Sequence, residues 1–344
     1  MSTSKLEAFG FPPPKPSGDL ALGRVLRIER RRHLVALEVG LRWSTAAGHL
    51  SGETDGLAVG DWVDVREEAQ TVRVHPRRTW LARRRPGRGR NAQLVAANLD
   101  RVFIVTAIGA DFSPRRIERF ITLVRTGGAA PVVVVNKTDL PFDLPRTLGA
   151  LGEAAPGLPL CLVSSATGDL RDLDSHLIPR ETVALVGSSG VGKSSLVNAL
   201  AGRGAQATQS VRSRDDKGRH TTTRRELVSL PSGALLIDTP GMREVGLDAE
   251  ADVEAAFSDI AELAQSCRFA NCRHEGEPGC AVREARASGA ISEDRWRSHQ
   301  KLLREAAFEA ERARSGPAYD TKRRWKKVHQ DLKERMKLDP KFRR

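Results

Sequence analysis

Nine residues from Gly187 to Ser195 form a glycine-rich sequence, GSSGVGKSS, that could bind the phosphates of a nucleotide. It follows an apolar run over 183–186 and precedes a helix-like segment over 196–201, which is the setting of a phosphate-binding loop. Glycines let backbone N–H groups turn towards phosphates, and a helix N-terminus adds partial positive charge. Lys193 is predicted to reach the β- and γ-phosphates, and the Ser194 hydroxyl to hold Mg²⁺. The alternative is a flexible turn, but every fixed position of the motif is filled.

Two further segments could recognise a guanine base. Asn136-Lys137-Thr138-Asp139 follows an apolar run, and a carboxylate there accepts hydrogen bonds from guanine N1–H and the exocyclic amine, which adenine lacks. Ser164-Ser165-Ala166 follows another apolar run and could present the Ala166 N–H to guanine O6. GTP is therefore predicted over ATP. The predicted nucleotide-binding residues are Asn136, Lys137, Thr138, Asp139, Ser164, Ser165, Ala166, Gly187, Ser188, Ser189, Gly190, Val191, Gly192, Lys193, Ser194, Ser195, Thr222, Asp238 and Gly241.

The segment Asp238-Thr239-Pro240-Gly241 fits the D-x-x-G element that responds to the γ-phosphate. Asp238 is predicted to hold Mg²⁺ through water, and the Gly241 N–H to contact the γ-phosphate. Between this segment and the phosphate-binding loop lies Gly218-Arg219-His220-Thr221-Thr222-Thr223, where the first switch segment is expected. One of its threonines, for which we choose Thr222, would join Ser194 as a magnesium ligand.

The sequence supplies only part of the set of residues that a GTPase uses to hydrolyse GTP. Met242 follows the D-x-x-G element, where Ras-like enzymes carry a glutamine that orients the attacking water. His220 is the best internal candidate for that role, although a histidine facing solvent in a loop is an equal alternative. With Lys193 on the phosphates, these residues predict slow intrinsic hydrolysis that rises when a partner orders the switch segment.

The order of the motifs differs from that of common GTPases, in which the phosphate-binding loop comes first. Here the guanine-binding elements, at Asn136 and Ser164, precede the loop at Gly187. The same sheet can form in this order if the ends are joined and a surface loop is opened. The D-x-x-G element then lies near the end of its domain and leads directly into the C-terminal module.

Four residues have the composition and spacing of a closed zinc site. The pattern is Cys267-x4-Cys272-x-His274-x5-Cys280, and thiolate and imidazole groups are the usual ligands of structural zinc. With all four positions filled by protein, the metal would stabilise the fold and not catalyse. The alternative is a set of buried free cysteines beside a surface histidine, but only Cys161 lies outside this group.

Charge, hydropathy and cysteine content narrow the class of partner and the cellular compartment that we expect. The chain has 344 residues, a formal net charge of +13 and a pI of about 10.2, which predicts two or three domains and an acidic partner. No apolar run approaches the roughly 20 residues that span a bilayer. The Pro-rich start lacks a signal-peptide core, and four cysteines do not suggest a secreted framework. We therefore expect a cytoplasmic protein, and nothing in the sequence predicts an obligate partner chain, so a monomer is expected.

Hydrophobic patterning predicts a multidomain chain. Short alternating strands over 24–28, 34–39, 62–65 and 71–74 indicate a small all-β barrel of the oligonucleotide/oligosaccharide-binding (OB) type, although an SH3-like barrel would give the same pattern. From residue 94, apolar strands alternate with helices, which indicates an α/β domain with a parallel sheet. The predicted divisions are a tail (1–18), the OB-like barrel (19–93), a permuted GTPase domain (94–251), a mostly helical zinc-binding domain (252–315) and a basic tail (316–344).

Two basic segments could contact nucleic acid. Arg77 to Arg90 contains seven arginines and no acid, which favours phosphate-backbone contact over a solvated linker. Tyr319 to Arg344 carries eleven Lys/Arg against four Asp/Glu, with Trp325 placed between basic pairs as a possible stacking group. A solvated terminal helix remains the alternative for this second segment.

Taken together, these motifs resemble the bacterial ribosome small subunit-dependent GTPase A family (RsgA/YjeQ/EngC). The resemblance covers nearly the whole chain, and the combination of Gly218–Thr223 with the zinc spacing is its most specific part. It implies a late-stage assembly factor of the small (30S) ribosomal subunit that binds 16S rRNA through its barrel, zinc domain and basic tail. It also implies that GTP is hydrolysed to GDP on the subunit, that His220 acts in hydrolysis, and that release of the factor follows.

Two other classes of function compete with a subunit-stimulated enzyme. One is an RNA chaperone or anti-association factor whose GTP site only switches affinity, which multiple turnover on 30S subunits would separate from an enzyme. The other is a basic GTPase at a membrane surface, but the sequence shows no lipidation signal or amphipathic anchor.

Overall fold

The computed structural model describes residues 5–10, 14–16, 18–51, 56–84, 92–109, 111–202, 225–238 and 251–315. The strands in these ranges are β1 (Ala21–Ile28), β2 (His33–Leu37), β3 (Gly40–Ala46), β4 (Trp62–Val65), β5 (Gln70–Val74), β6 (Trp80–Arg84), β7 (Ala92–Ala97), β8 (Arg101–Ala107), β9 (Ala130–Asn136), β10 (Leu160–Leu162), β11 (Thr182–Val186), β12 (Glu226–Ser229) and β13 (Leu235–Asp238). The α-helices are α1 (Gly48–Ser51), α2 (Pro114–Thr126), α3 (Leu144–Ala154), α4 (Lys193–Gly202), α5 (Val253–Ala256), α6 (Ser258–Gln265), α7 (Ala281–Ala287) and α8 (Glu293–Ser315).

The first five strands close into a barrel in the order β1-β2-β3-β5-β4, with β4 pairing back to β1. Alternate residues of these strands point inward, and Val25, Val35 and Val63 are fully buried in the barrel core. The predicted OB-like barrel is therefore confirmed. Strand β3 was not predicted, because its sequence GLRWSTA lacks a clear apolar alternation and its first residues are exposed.

The central domain is an α/β sheet with helices on both faces. Strands β10-β9-β8-β11-β13 are parallel neighbours, and their apolar sequences are buried on both sides. Helices α2 and α3 cover one face, while α4 and a 3₁₀ segment (Arg171–His176) cover the other. The sheet is not purely parallel as predicted, because the short strand β12 pairs antiparallel with both β13 and β1. This strand joins the central sheet and the barrel into one eleven-stranded sheet.

Part of the arginine-rich segment belongs to the folded structure. Strands β6 and β7 form an antiparallel hairpin, so part of the segment predicted to contact a phosphate backbone is strand. The Arg77 guanidinium lies 2.7 Å from the buried Asp61 carboxylate, and that of Arg78 lies 3.1 Å from Asp100. Two of the seven arginines are thus ion-paired within the chain, which corrects the expectation of an unopposed run. Residues 85–90 lie outside the described residues.

The helices after residue 251 pack against α2, as the predicted helical C-terminal domain requires. Phe257, Ile260 and Trp296 share a buried core with Ile117 and Ile121 of α2. In the part of the chain that the structure describes, no helix is long and apolar enough to cross a membrane. The basic tail over 316–344, including Trp325, lies outside the described residues.

Candidate nucleotide and metal sites

The predicted nucleotide-binding segments follow strands that end at one edge of the central sheet. Parallel strands β9, β10, β11 and β13 end at Asn136, Leu162, Val186 and Asp238. The chain builds β8, β9 and β10 outward in one direction, then returns to place β11 on the other side of β8. Such a reversal leaves a crevice at the carboxyl ends of the strands, where open α/β sheets bind ligands.

The glycine-rich loop has a backbone that only glycine tolerates at several positions. Gly187, Gly190 and Gly192 have φ angles of 149°, 85° and 90°, a backbone conformation that residues with a side chain rarely adopt. A Cβ atom on Gly187 would collide with the carbonyl oxygen of Val105, and one on Gly192 with the Asn136 amide. The Lys193 Nζ donates to the carbonyl oxygens of Gly187 and Ser188, both at 2.6 Å, which places its ammonium across the loop.

The Asn136 side chain connects the three predicted loops. Its Nδ2 donates to the carbonyl oxygen of Val191 at 2.9 Å and to Ser165 Oγ at 3.1 Å. Its Oδ1 accepts from the Ser165 N–H at 3.0 Å. Asn136 is fully buried, so these bonds form away from water. The base-binding segments and the phosphate-binding loop are consequently held in one arrangement.

The predicted base-recognition residues lie together beyond Asn136. The Ser164 hydroxyl donates to the Asp139 carboxylate at 2.6 Å and accepts from the Thr167 N–H at 3.2 Å. Asp139 is exposed, and one of its carboxylate oxygens accepts the Ser164 hydrogen bond. Lys137 takes a positive φ of 65°, and its ammonium lies 3.7 Å from the Asp111 carboxylate. Thr138 donates its N–H to the Val163 carbonyl oxygen, which fixes this segment beside the Ser164–Ala166 loop.

The predicted magnesium and catalytic residues are described only in part. Ser194 and Ser195 are exposed in the first turn of α4, and Asp238 ends β13. Burial raises the pKa of Asp238 above its usual range, and the Lys193 ammonium opposes that rise. His220, Thr222 and Gly241 lie outside the described residues, so their predicted roles remain predictions.

The cysteine and histidine residues predicted to hold zinc do converge. Their four ligand atoms lie within 4.8 Å of one another. His274 Nδ1 is 3.5 Å from Cys267 Sγ and 3.4 Å from Cys280 Sγ, and the two sulfur atoms are 3.9 Å apart. A tetrahedron with Zn–S bonds of about 2.3 Å has edges of roughly 3.8 Å, so these distances fit a metal such as zinc. The Cys280 Sγ also accepts the Arg283 N–H at the start of α7.

Comparison with known proteins assigns the family. A profile described as RsgA GTPase matches residues 74–248. The chain belongs to the RsgA GTPase family. It is 41% identical over 319 residues to the small ribosomal subunit biogenesis GTPase RsgA of Methanosarcina acetivorans, with 89% of this chain and 86% of that protein covered. It is 43% identical to the protein of the same name from Streptomyces coelicolor, with 87% and 83% covered.

Solved structures of similar proteins share the architecture of this RsgA-family GTPase. YjeQ from Thermotoga maritima superposes with a TM-score of 0.62 at 26% identity, covering 83% of this chain and 98% of that one. YloQ, described as a circularly permuted GTPase, gives a TM-score of 0.60 at 25% identity, with 84% and 95% covered. The permuted order read from the motifs is therefore confirmed for this chain.

Sequence motifs alone missed several polar residues around the site of this RsgA-family protein. Asp111 contacts Lys137 of the base-binding segment, and Arg116 contacts Ser188 of the phosphate-binding loop. The first turn of α2 has two arginines and no acid, although cations at a helix N-terminus oppose the helix dipole. That unfavourable placement is the signal that could have drawn attention to Arg116.

Proposed function

We propose that this chain binds the small ribosomal subunit, acts in its late maturation, and hydrolyses GTP slowly alone and faster on the subunit. The observation that carries the proposal is the Asn136 side chain, which brings the guanine-type segments and the phosphate-binding loop into one site. The names of the relatives, small ribosomal subunit biogenesis GTPase, supply the assembly that such a site would serve.

In this proposal the two sides of the sheet edge bind different parts of GTP. Asp139 accepts hydrogen bonds from the guanine N1–H and amine, while Lys137 and the Ser164–Ala166 loop hold the ring. Backbone N–H groups between Gly187 and Ser195 surround the phosphates, and Lys193 neutralises their charge. Asn136 lies between the two, bonded to Val191 of the phosphate-binding loop and to Ser165 of a base-binding segment, which supports this division.

Hydrolysis would depend on residues from the switch segments. Ser194 and Thr222 are the proposed ligands of Mg²⁺, with Asp238 acting through water and the Gly241 N–H contacting the γ-phosphate. Bound Mg²⁺ neutralises charge on the β- and γ-phosphate oxygens. His220 is proposed to orient the attacking water, with a switch segment ordered by the subunit.

The cysteine–histidine cluster is proposed to hold one structural zinc ion. Cys267, Cys272, His274 and Cys280 supply four protein ligands, so no position is left for a substrate. The zinc would fix the loop between α6 and α7, and its exposed arginines would form part of an rRNA-binding surface with the barrel and the basic tail. The domain divisions predicted from the sequence and a cytoplasmic site of action, where ribosomal subunits are assembled, belong to the same proposal.

The proposal is tested by sedimentation with purified particles. The zinc-loaded chain, with a non-hydrolysable GTP analogue or with GDP, is centrifuged with 30S subunits, 50S subunits or anionic liposomes. We expect co-sedimentation with 30S subunits in the GTP-analogue state and much less with GDP, because the switch segments respond to the γ-phosphate. Equal binding to liposomes, or no preference for 30S over 50S subunits, would reject the proposal.

A further inference from the structure

Helix α2 carries a row of charged residues that face the C-terminal helix α8. Arg115, Glu118 and Arg119 are three and four residues apart, so they lie on one face of α2. The Arg119 guanidinium makes two bonds to the Glu305 carboxylate, at 2.6 and 2.7 Å. At the end of the same row, Arg115 lies 2.7 Å from the Asp294 carboxylate.

The centre of this row is a buried ion pair. Arg295 Nη1 lies 3.0 Å from the Glu118 carboxylate, and both side chains are only 4% exposed. The same guanidinium binds Asp259 of α6 at 2.5 and 2.7 Å. Separating a buried pair leaves an uncompensated charge, which is strongly unfavourable. Helices α2, α6 and α8 are therefore expected to move together and not to slide independently.

The opposite side of the first turn of α2 reaches the phosphate-binding loop. Arg116 Nη1 donates to the Ser188 hydroxyl at 3.1 Å, and Nη2 donates to the Asp111 carbonyl oxygen at 3.3 Å. Ser188 is buried in the loop, and the Asp111 carboxylate faces the Lys137 ammonium at 3.7 Å. A single arginine thus connects the start of α2 to both the phosphate side and the base side of the site.

We propose that α2 couples the C-terminal zinc domain to the nucleotide site, with Arg116 as the positioning residue at its end. A displacement of α8 moves α2 through the Arg119–Glu305 and Glu118–Arg295 pairs, and Arg116 transfers that movement to Ser188. The rate of GDP release then depends on the position of the C-terminal helices against α2. This coupling rests on the proposed GTP site and adds a route separate from the switch segments.

The coupling is tested by stopped-flow release of a fluorescent GDP analogue from the full, zinc-loaded chain. We expect Arg116→Gln to accelerate release about five- to tenfold, because hydrogen bonds from a charged donor to the loop are lost. Arg116→Lys, which keeps the charge and one bond, should restore part of the loss. Arg115→Gln is the matched control, since its pair with Asp294 is exposed and should change release less than about twofold.

A double-mutant comparison separates coupling from a local effect. Arg119→Gln alone should accelerate release about threefold, and should add little in the Arg116→Gln background, because the route is already interrupted. Glu305→Gln breaks the same pair from α8 and serves as a second variant if Arg119→Gln lowers the melting temperature. The coupling would be overturned if the double variant released GDP at the product of the two single fold-changes. It would also be overturned if Arg116→Gln released GDP like the wild type. If Lys193→Ala binds GDP as tightly as wild type, the proposed nucleotide site itself is wrong.

Discussion

Asn136 explains how segments far apart in sequence form one site. Its amide bonds to Val191 and Ser165 at once, so the phosphate-binding loop and both base-binding segments share a single buried side chain. Gly192 makes this approach possible, because a Cβ atom there would collide with the Asn136 Nδ2. The position of the Asn136 side chain therefore requires glycine at position 192, and the base-binding segment and the phosphate-binding loop fix each other's geometry.

At the level of single residues, Asp139→Asn should change the preferred base. Asparagine has one acceptor and one donor where the carboxylate has two acceptors, so its NH2 faces the guanine amine unfavourably while a xanthine carbonyl gains a donor. We expect GTP affinity to fall about a hundredfold or more and xanthosine triphosphate to bind better than GTP. Titration with fluorescent analogues of both nucleotides measures this.

The matched control for that experiment is Asp143→Asn. Asp143 caps α3 by accepting the Arg146 N–H at 3.0 Å, and asparagine caps helices equally well. This variant should bind GTP like the wild type. An unchanged preference for GTP in Asp139→Asn would show that this carboxylate does not read the base.

Residue types and spacing were enough to predict the glycines, Asn136, Asp139 and the four proposed zinc ligands, because backbone reach and ligand chemistry restrict those positions. They could not predict the partner of Arg116 or the pair of Glu118 with Arg295. Those contacts join α2 to distant parts of the chain, 72 and 177 residues away. Nothing local in the sequence encodes which long-range partner an arginine will meet.

Among the secondary-structure elements, the short ones were the least predictable. Strand β12 has four residues and a single buried one, so neighbouring strands β13 and β1 define it more than its own sequence does. Helix α3 was missed because its outward face carries exposed leucines, Leu144 and Leu148, which weaken the amphipathic pattern. The long apolar strands β8, β9 and β11 were predicted because both of their faces are buried.

The loop between α6 and α7 should require its metal. Removal of zinc by a chelator, or Cys272→Ser, should abolish one bound zinc per chain and lower the melting temperature by roughly 5 °C or more. The reason is that the loop has little apolar core of its own, and His274 takes a positive φ of 62° that the metal would hold. Metal analysis and thermal unfolding measure both effects.

The control for zinc removal is Cys161→Ser. Cys161 is buried in the central domain and donates its S–H to the Asp172 carbonyl oxygen, outside the cysteine–histidine cluster. Its zinc content should match that of the wild type. Retention of zinc by Cys272→Ser, or equal loss in Cys161→Ser, would argue against the proposed ligand set.

The packing of α2 on α6 and α8 should depend on pH. Burial raises the pKa of Glu118 from 4.5 to about 7, against the opposing effect of the Ser298 hydroxyl and the Arg295 guanidinium. A raised pKa contributes stability that is complete below about pH 4.5 and is lost as pH rises through about 7. The wild type should therefore lose unfolding free energy between about pH 5.5 and 7.5, as the buried Glu118 carboxyl ionises.

Glu118→Gln should remove that part of the pH dependence. Denaturant unfolding of the two proteins is compared at several pH values. The unfolding free energy of the wild type relative to Glu118→Gln should fall as pH rises. Because other titrating groups, such as His33 and His299, are common to both proteins, they cancel in the comparison. Parallel stability curves for the two proteins would contradict the assignment to Glu118.

For the whole molecule, the permuted order determines what the nucleotide site can influence. The base-binding segments precede the phosphate-binding loop, so Asp238 lies near the end of the central domain and the C-terminal helices follow it. The same helices return to α2, which begins beside that loop. The C-terminal helices are therefore linked to the nucleotide site along the chain after Asp238 and through their packing on α2, while β12 joins the barrel to the central sheet next to β13.

GTP turnover by the purified, zinc-loaded chain, alone and with 30S, 50S or 70S particles, tests the proposed function most directly. His220→Ala and Lys193→Ala are measured beside the wild type. We expect slow turnover alone and selective stimulation by 30S subunits that both variants lose. Fast turnover without any particle, or no stimulation by any of the three, would contradict the proposed function.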